Sequence, residues 1–483
     1  MAEKRGYKIN DIYEGGYSTL SPTYSGLEPN YGVNFTGYQM PSTGISQSTD
    51  ARTANVMKEI SEALSAGMKN IEMTQVDAGT FESIPQQHLK ELHRLSKLTG
   101  VEISVHAPVI EPSGATQQGF NESDRMAVER QMNMAVERSH EINPEGNIPV
   151  TFHSTAGLPG TEKTKDGKIQ KLLIVNQETG EMGAIKDEPR YIPGHDLEKQ
   201  EEFNLDVELR TKNNNQWIDS ISQLIYYKDG ADKMLQANFP QIQHVIKEIQ
   251  GKQLHRENLT PTQQQALSQL NNAHGYLSQV RKQLNSLFHT AYKFGTEEQK
   301  NKLKEISENF GKNMGEGIDV MQTSHALQGL MNNLQDTSLA PQIFKPLNEF
   351  AREKSTETFS NIALNAYSKF GKTAPIISIE NPPAGTAFST GEELRDLVEI
   401  SREKFVEKAM KDKKEGGLNM SKSEAKKQAE KLLGVTWDVG HINMLRKRGY
   451  ESEDIIQQTK AVAPLVKHVH LSDNFGFEHT ELP

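Results

Sequence analysis

The chain has 483 residues, a formal net charge of −10 and no cysteine. Without cysteine, disulfides and thiolate metal sites are excluded, so any metal would be held by histidine, aspartate and glutamate, which suits zinc, manganese or iron. The acidic balance counts against a broad nucleic-acid surface, although a local basic patch is compatible with it. The N-terminal residues lack the apolar core of a signal peptide, and no apolar run approaches the roughly 18 residues of a membrane span, which predicts a cytoplasmic protein without membrane contact.

Residues 1–30 are predicted to be an N-terminal extension, and residues 31–155 alternate the patterns of strands and helices. Short runs rich in β-branched residues are followed by amphipathic stretches, two of which end at Gly67 and Gly100. This rhythm is typical of a parallel α/β sheet. The predicted strands are 31–40, 70–79, 101–108 and 148–155, and the predicted helices are 51–67, 85–100 and 123–142.

The rhythm stops in residues 156–341, which we predict to be a mainly helical insertion after the fourth strand. Residues 178–180 have the pattern of a β-hairpin turn. Beyond them, stretches rich in glutamine and asparagine keep the apolar periodicity of helices. These stretches are 216–227, 231–249, 261–294, 296–313 and 319–334. An insertion of this length is expected to be a module or a lid. It could cover the face that holds the active site, or it could be a separate domain for docking or oligomerisation. The sequence leaves both roles open.

The strand-and-helix rhythm returns in residues 342–483. The predicted strands here are 375–381, 435–444 and 466–474, and the predicted helical regions are 346–370, 390–433 and 452–464. Seven strands alternating with helices indicate a TIM-type (β/α) barrel. An eighth strand is apparently lacking before Pro483. Either the chain is truncated, or the N-terminal residues, a second copy in a homo-oligomer or a partner chain could supply the missing strand.

Residues of metal-binding type stand at the carboxyl ends of five predicted strands. A barrel of parallel strands brings these ends together on one face. Taken singly, a histidine or carboxylate at a strand end is often a capping, core or hydrogen-bonded residue. Together, one or two per strand predict a shared site for divalent metal. These residues are His106, His153, Glu380, Asp438, His441 and His470.

Two features add to this prediction. Glu380 ends an apolar run, where a carboxylate would be costly to bury without a cation or a hydrogen-bond donor. His468 and His470 are two residues apart on one strand, so their side chains face the same side of the sheet. His468 is therefore a candidate to contact a substrate or to orient a ligand.

The order of these short motifs resembles that of the xylose-isomerase-like TIM barrel superfamily, and within it the endonuclease IV group (AP endonuclease family 2). The motifs are ISVHAP, VTFHSTAG, SIENPPAG, WDVGH and VHLSDN. The similarity covers roughly residues 31–155 and 345–483. The motifs are specific together, although each one is short.

The resemblance implies a multinuclear zinc site. His106 and His153 would bind the first metal. Asp438 and His470 would bind the second metal, with Glu380 bridging the two. Three further polar residues would orient the histidines: Asn381, Ser472 and Asp473.

The resemblance also implies a third metal, bound by His441 and His479. The family has an aspartate two residues before this last histidine, where the chain has Phe477. The glutamate that the family places on its eighth strand has no counterpart before Pro483. The expectation is therefore two or three zinc ions, with manganese or iron also compatible with the ligands.

The implied function is a metal-dependent hydrolase of endonuclease IV type, which cleaves a phosphodiester, with abasic sites in DNA as the family's repair substrate. Glu380 and His468 are the catalytic candidates. The alternative is a sugar isomerase or epimerase with a single divalent metal, in which Glu380, Asp438 and His470 would be ligands and Glu72 would contact a sugar hydroxyl. A third hypothesis is a non-catalytic binding protein on a degenerate barrel.

Overall fold

The computed structural model describes residues 45–75, 77–161, 171–186, 204–237, 260–314 and 319–472, with a few positions between 240 and 247. The chain divides into two compact units, one within Met1–Gln170 and Leu347–Pro483 and the other within Lys171–Pro346. None of the helices in the described ranges is long and apolar enough to cross a membrane.

Strands of the described residues belong to three sheets. In chain order they are β1 (Ser46–Ser48), β2 (Asn70–Thr74), β3 (Glu102–His106), β4 (Ala115–Thr116), β5 (Gly119–Phe120), β6 (Pro149–His153), β7 (Lys171–Asn176), β8 (Met182–Lys186), β9 (Phe344–Pro346), β10 (Ile376–Glu380), β11 (Leu433–Asp438) and β12 (Val466–His470). The main sheet has seven strands in the order β1-β2-β3-β6-β10-β11-β12, and every neighbouring pair in it is parallel.

Helices alternate with the strands of the main sheet and dominate the second unit. The α-helices of the described residues are α1 (Val56–Ser65), α2 (Ala78–Ser83), α3 (Gln86–Thr99), α4 (Glu122–Ile142), α5 (Leu205–Ala237), α6 (Pro261–Phe294), α7 (Glu297–Asn313), α8 (Val320–Leu334), α9 (Leu347–Phe370), α10 (Gly391–Met410), α11 (Lys422–Leu432), α12 (Val439–Asn443) and α13 (Ser452–Val462).

Six of the seven predicted barrel strands are confirmed, namely β2, β3, β6, β10, β11 and β12. The first predicted strand, at 31–40, lies outside the described residues. On the side away from β3, the strand that pairs with β2 is β1, which was not predicted from the sequence. Its three residues are Ser-Gln-Ser and are all exposed, so they show neither the apolar run nor the alternation from which a strand is predicted.

The main sheet is strongly curled. The Oγ1 atoms of Thr151 on β6 and Thr436 on β11 lie 2.9 Å apart, although β10 lies between these strands. In a flat sheet, strands two positions apart are separated by roughly 10 Å. The contact therefore requires a half-barrel curl with these polar residues on its concave side. The prediction of an α/β fold with a parallel sheet is confirmed, while closure into a TIM-type barrel stays a prediction.

Apolar residues alternate with the polar ones along each central strand. On β10, Ile377 and Ile379 are fully buried, and Ser378 and Glu380 alternate with them. Since successive residues of a strand face opposite sides, the isoleucines and the polar pair lie on different sides of the sheet. Helices α10 and α11 pack against β10 and β11. The concave side is thus left for polar chemistry.

The second unit contains a three-stranded sheet in the order β8-β7-β9 and helices α5 to α8. The predicted hairpin is confirmed, because β7 and β8 pair antiparallel around the turn. The core of this unit includes Trp217, whose indole N–H donates to the carbonyl oxygen of Leu334 at 2.8 Å.

Three helices of the second unit begin with a capping box, which explains part of the glutamine content of this region. Thr260, Thr296 and Asp319 are the N-cap residues, and in each case a glutamine three positions later completes the box. Each reciprocal pair satisfies two backbone N–H groups that a helix start leaves free. The glutamines therefore specify where these helices start.

One helix prediction of the second unit was wrong. The sequence predicted a break between 227 and 231, but α5 continues through Gly230. Lys228, which is 3% exposed, pairs with Asp232 at 2.5 Å across the glycine. Buried residues on either side, including Leu224 and Leu235, belong to one core. Their burial and this pair outweigh the cost of a helical glycine, about 1 kcal/mol.

Candidate metal centre

Imidazole and carboxylate groups from six strands and the first turn of α12 converge on the concave side of the main sheet. Strand register accounts for part of this convergence, since His153 is the partner of Glu380 across β6 and β10, and Asp438 is the partner of His470 across β11 and β12. The converging residues are Glu72, His106, His153, Glu380, Asp438, His441, His468 and His470.

Glu380 lies at the middle of the cluster. Its Oε2 atom is 3.2 Å from Nε2 of His106 and 3.3 Å from Nε2 of His153. Its Oε1 atom is 2.6 Å from Nδ1 of His470. The side chain is only 2% exposed. The two carboxylate oxygens therefore face imidazoles from different strands.

Asp438 both starts a helix and faces the imidazoles. Its Oδ1 atom accepts a hydrogen bond from the backbone N–H of His441 at 2.7 Å, which makes Asp438 the N-cap of α12. Its Oδ2 atom lies 3.7 Å from Nδ1 of His441 and 3.9 Å from Nδ1 of His470. The cap fixes one oxygen, and this leaves the other directed at the two rings.

Asn381 fixes the same corner of the site. Its side-chain oxygen accepts from the backbone N–H of Asp438 at 2.8 Å, and its side-chain N–H donates to the carbonyl oxygen of Asp438 at 2.9 Å. The backbone carbonyl of Asn381 lies 2.8 Å from Nδ1 of His441. The Asn381 side chain thus holds the backbone of Asp438, and only its main-chain carbonyl faces a histidine, so its predicted role in orienting the histidines stays a prediction. Ser472 donates more weakly to Oδ1 of Asp438, at 3.4 Å.

Two histidines have ring orientations that suit metal ligands. Nδ1 of His106 lies 3.0 Å from the carbonyl oxygen of Ala107, and Nδ1 of His441 lies close to the Asn381 carbonyl. A carbonyl oxygen can only accept, so each Nδ1 bears the proton in these contacts. Nε2 of each ring is then the nitrogen that a metal ion would bind, as in metal-binding histidines whose second nitrogen is hydrogen-bonded.

Glu72 joins the cluster from β2. Its Oε2 atom is 2.8 Å from Nε2 of His468, and its Oε1 atom is 3.2 Å from Nε2 of His470. Ser104 donates a hydrogen bond to Oε2 at 3.3 Å. His470 therefore lies between two carboxylates, those of Glu72 and Glu380.

Charge in the cluster is shared between buried carboxylates and imidazoles. Burial lowers the pKa of His470, but hydrogen bonds and the charges of Glu380 and Glu72 outweigh it and raise this pKa to about 11. Burial raises the pKa of both glutamates, and hydrogen bonds from the histidines outweigh it, so both pKa values lie well below the usual range. In the metal-free protein a protonated His470 thus balances part of the carboxylate charge.

The remaining groups are shifted in different directions. Burial, together with the charges of neighbouring histidines, lowers the pKa of His153 to about 4. Burial lowers the pKa of His106 as well, but the hydrogen bond and charge of Glu380 outweigh it and raise the pKa. Burial and the nearby charge of Glu380 raise the pKa of Asp438. His153 is therefore neutral at physiological pH.

The residues fit a metal ion in chemistry and in spacing. Three groups have ligand atoms within 4.8 Å of one another: Glu72 with His468 and His470, His106 with Glu380 and His470, and Glu380 with Asp438 and His441. Buried carboxylates are costly unless they are paired or bind a cation. These groups could hold a metal ion, and neither their number nor their chemistry selects one metal.

Seven of the eight residues named in the sequence analysis as metal or catalytic candidates meet in this cluster. The exception is His479, which lies outside the described residues, as do Phe477 and Asp473. Asp438 lies with His441 and Glu380, and its Oδ2 atom is also 3.9 Å from Nδ1 of His470, its partner in the set implied by resemblance. Glu72 was missed as a metal-site residue. Its signal was a lone acid between Ile71 and Met73, both fully buried.

No protein-family model, no curated protein and no solved structure matches this chain. The family resemblance noted from the motifs therefore stays a prediction, and the function has to be argued from the geometry of the site.

Proposed function

We propose that the chain is a metal-dependent hydrolase that cleaves a phosphodiester, on a partial TIM-type barrel of the endonuclease IV kind. The observation that supports this most is the position of Glu380. Its Oε2 atom faces His106 and His153, and its carboxylate also belongs to a group with Asp438 and His441 whose ligand atoms lie within 4.8 Å of one another. This is the arrangement expected of a carboxylate that bridges two cations.

The first cation is assigned to His106, His153 and Oε2 of Glu380. The second is assigned to Asp438, His441 and Glu380, whose ligand atoms lie within 4.8 Å of one another. Zinc is the proposed metal, because imidazole and carboxylate ligands in three-residue sets with open positions are typical of catalytic zinc. Manganese and iron are compatible with the same ligands.

Bound divalent cations supply Lewis acidity, since they polarise phosphoryl oxygens and bring the pKa of water toward neutrality. The protein's own contribution is orientation. Asn381 and the helix cap hold Asp438, and the Ala107 and Asn381 carbonyls set the rings of His106 and His441. Because these groups are buried and fixed, the site needs little reorganisation to stabilise developing charge.

A basic segment supports an anionic substrate. Residues Arg446, Lys447 and Arg448 end the 3-10 turn Met444–Arg448, which follows α12 and is capped by Gly449. Arg446 and Lys447 are exposed. This places positive side chains within a few residues of His441 in a chain whose net charge is −10. DNA with an abasic site is the proposed substrate within the phosphodiester class, and positive charge of this kind contributes to binding its backbone.

Hydrolysis by the reconstituted full chain tests this function. The metal-free protein and its Zn²⁺, Mn²⁺ and Fe²⁺ forms would each be incubated with bis(4-nitrophenyl) phosphate and with a duplex that contains one abasic analogue. We expect cleavage that requires metal, is lost in Glu380→Gln and is retained in Glu102→Gln, an exposed control on β3. Failure of the zinc, manganese and iron forms to cleave either substrate would reject the proposal.

The sugar isomerase alternative keeps one supporting observation. The site contains two glutamates, an aspartate and a histidine, namely Glu72, Glu380, Asp438 and His470, and Glu72 adds a second glutamate to the three ligands of that alternative. However, a single-metal site would not require the imidazoles of His106 and His153 to contact Oε2 of Glu380, as they do here. Epimerisation of a ketose by the manganese or cobalt form, without phosphodiester cleavage, would favour this alternative.

A further inference from the structure

Glu72, His468 and His470 form a ligand group on the side of the His470 ring that faces away from Glu380. Nε2 of His468 is 2.8 Å from Oε2 of Glu72, and Nε2 of His470 is 3.2 Å from Oε1. Ligand atoms of the three residues lie within 4.8 Å of one another. Neither cation assigned to Glu380 uses Glu72 or His468.

The two nitrogens of His470 serve different carboxylates. Nδ1 lies 2.6 Å from Oε1 of Glu380, and Nε2 faces Glu72. A metal-binding histidine usually donates its other ring N–H to a carboxylate, which fixes the ring and makes the ligating nitrogen more basic. With its Nδ1–H held by Glu380, His470 has Nε2 available on the side of Glu72 and His468.

The surroundings suit a cation with an open coordination position. Ser104 donates to Oε2 of Glu72 at 3.3 Å and so helps to hold the carboxylate. The side chains of Glu72, His468 and His470 are 8%, 20% and 18% exposed, so solvent reaches a group that is otherwise enclosed. Two imidazoles and one carboxylate favour first-row transition metals over magnesium or calcium, and three protein ligands leave room for a further one.

We propose that Glu72, His468 and Nε2 of His470 bind a further divalent cation, of the zinc or iron(II) class, beside the two assigned to Glu380. This inference rests on the proposed function, because the third cation is added to the two assigned to Glu380, whose carboxylate also holds Nδ1 of His470. Its ligands are residues on β2 and β12. The third metal implied by sequence resemblance instead involved His441 and His479.

Zinc content of matched variants tests the proposal without relying on activity. The full chain and the variants Glu72→Gln and His468→Asn would be dialysed against Zn²⁺ and analysed for metal per chain. We expect each variant to retain one equivalent of Zn²⁺ fewer than the wild type. Glu102→Gln and His140→Gln are the controls, since Glu102 is exposed on β3 and His140 stacks on Phe370 away from the site. They should retain the full content.

The outcomes separate this inference from the proposed function. The third site would be overturned if Glu72→Gln and His468→Asn both keep the zinc content of the wild type. If Glu380→Gln loses zinc in the same experiment, the proposed function stays intact. Absence of bound Zn²⁺ in the wild type would overturn both. Thermal unfolding of the metal-free proteins checks that the variants fold. If either Glu72→Gln or His468→Asn does not melt cooperatively, the variant that does fold decides the outcome. Glu72→Ala and His468→Gln replace the variants that do not fold.

Discussion

Nε2 of His468 lies 2.8 Å from Oε2 of Glu72, although the two residues are 396 positions apart in the chain. Glu72 is on β2 and His468 is on β12, and four strands lie between them in the sheet order. Only a strongly curled sheet brings such strands within hydrogen-bonding distance, because each neighbouring pair adds about 4.8 Å. The ligand cluster is therefore a consequence of sheet curvature as well as of strand ends.

Zinc binding at His470 should release a proton, so the apparent affinity should rise with pH. The hydrogen bonds to Glu380 and Glu72 raise the pKa of His470 to about 11, and its ring is protonated in the metal-free protein at neutral pH. A cation must displace that proton, so affinity rises by up to about tenfold per pH unit. His153, with a pKa of about 4, releases none.

Calorimetric titration with Zn²⁺ in two buffers of different ionisation enthalpy counts the protons that are released. Zinc affinity that does not change between pH 6 and pH 8 would contradict the assignment of His470.

Replacement of Asn381 by alanine should weaken both the fold and the site. The change leaves the buried N–H and carbonyl of Asp438 without their partners, which costs about 1–3 kcal/mol of unfolding free energy. Loss of an orienting group should also reduce zinc affinity by roughly 10- to 100-fold.

Urea unfolding measures the loss of stability in Asn381→Ala, and zinc titration measures the loss of affinity. Asn361→Ala is the control, because Asn361 binds Glu129 and Lys408 on neighbouring helices, so only stability should fall. Unchanged zinc affinity in Asn381→Ala would show that it does not orient the ligands.

Gly391→Ala should destabilise the first unit. A Cβ at this position would lie 2.1 Å from the backbone carbonyl oxygen of Gln458, so α10 and α13 would have to separate. Overpacking of this kind costs about 1–3 kcal/mol. Gly275→Ala in α6 is the matched control. It has no neighbouring atom within 4 Å of the new Cβ, and it should stabilise the chain by about 0.5–1 kcal/mol because glycine is a poor helix former. Urea unfolding of each variant measures both changes. Equal stability of Gly391→Ala and wild type would disprove the tight contact.

The chain has two tryptophans, and each one belongs to a different unit. Trp437 is 3% exposed on β11, next to Asp438, and Trp217 is fully buried in the second unit. In Trp217→Phe, fluorescence reports the first unit, and in Trp437→Phe it reports the second. We expect Zn²⁺ to raise the unfolding midpoint reported by Trp437, since all the proposed ligands lie in the first unit. An equal rise in the midpoint reported by Trp217 would mean that the two units unfold together.

Strand positions and most residues of the candidate metal centre could be predicted from the sequence, because buried parallel strands are short apolar runs and their ends are polar. His106, His153 and Glu380 each follow such a run directly. Glu72 could not be assigned in the same way. Its place within β2 determines which side of the sheet it faces, but the approach of His468 depends on the curl, which no local pattern encodes.

The remaining errors concern segments whose structure is set by their neighbours. β1 is a polar, exposed segment that is a strand only because β2 offers it a parallel partner. A glycine such as Gly230 usually signals a helix break, but α5 continues because the ion pair of the buried Lys228 with Asp232 and the shared core hold it. In both cases tertiary contacts override the local signal.

The metal content of Glu380→Gln tests the central claim most directly. Wild type and variant would be purified, dialysed against Zn²⁺ and analysed for zinc per chain. Because Glu380 contacts His106, His153 and His470, the account predicts at least two equivalents of zinc in the wild type and the loss of at least one in the variant. Equal zinc content in the two proteins, or none in the wild type, would contradict a metal centre built on Glu380.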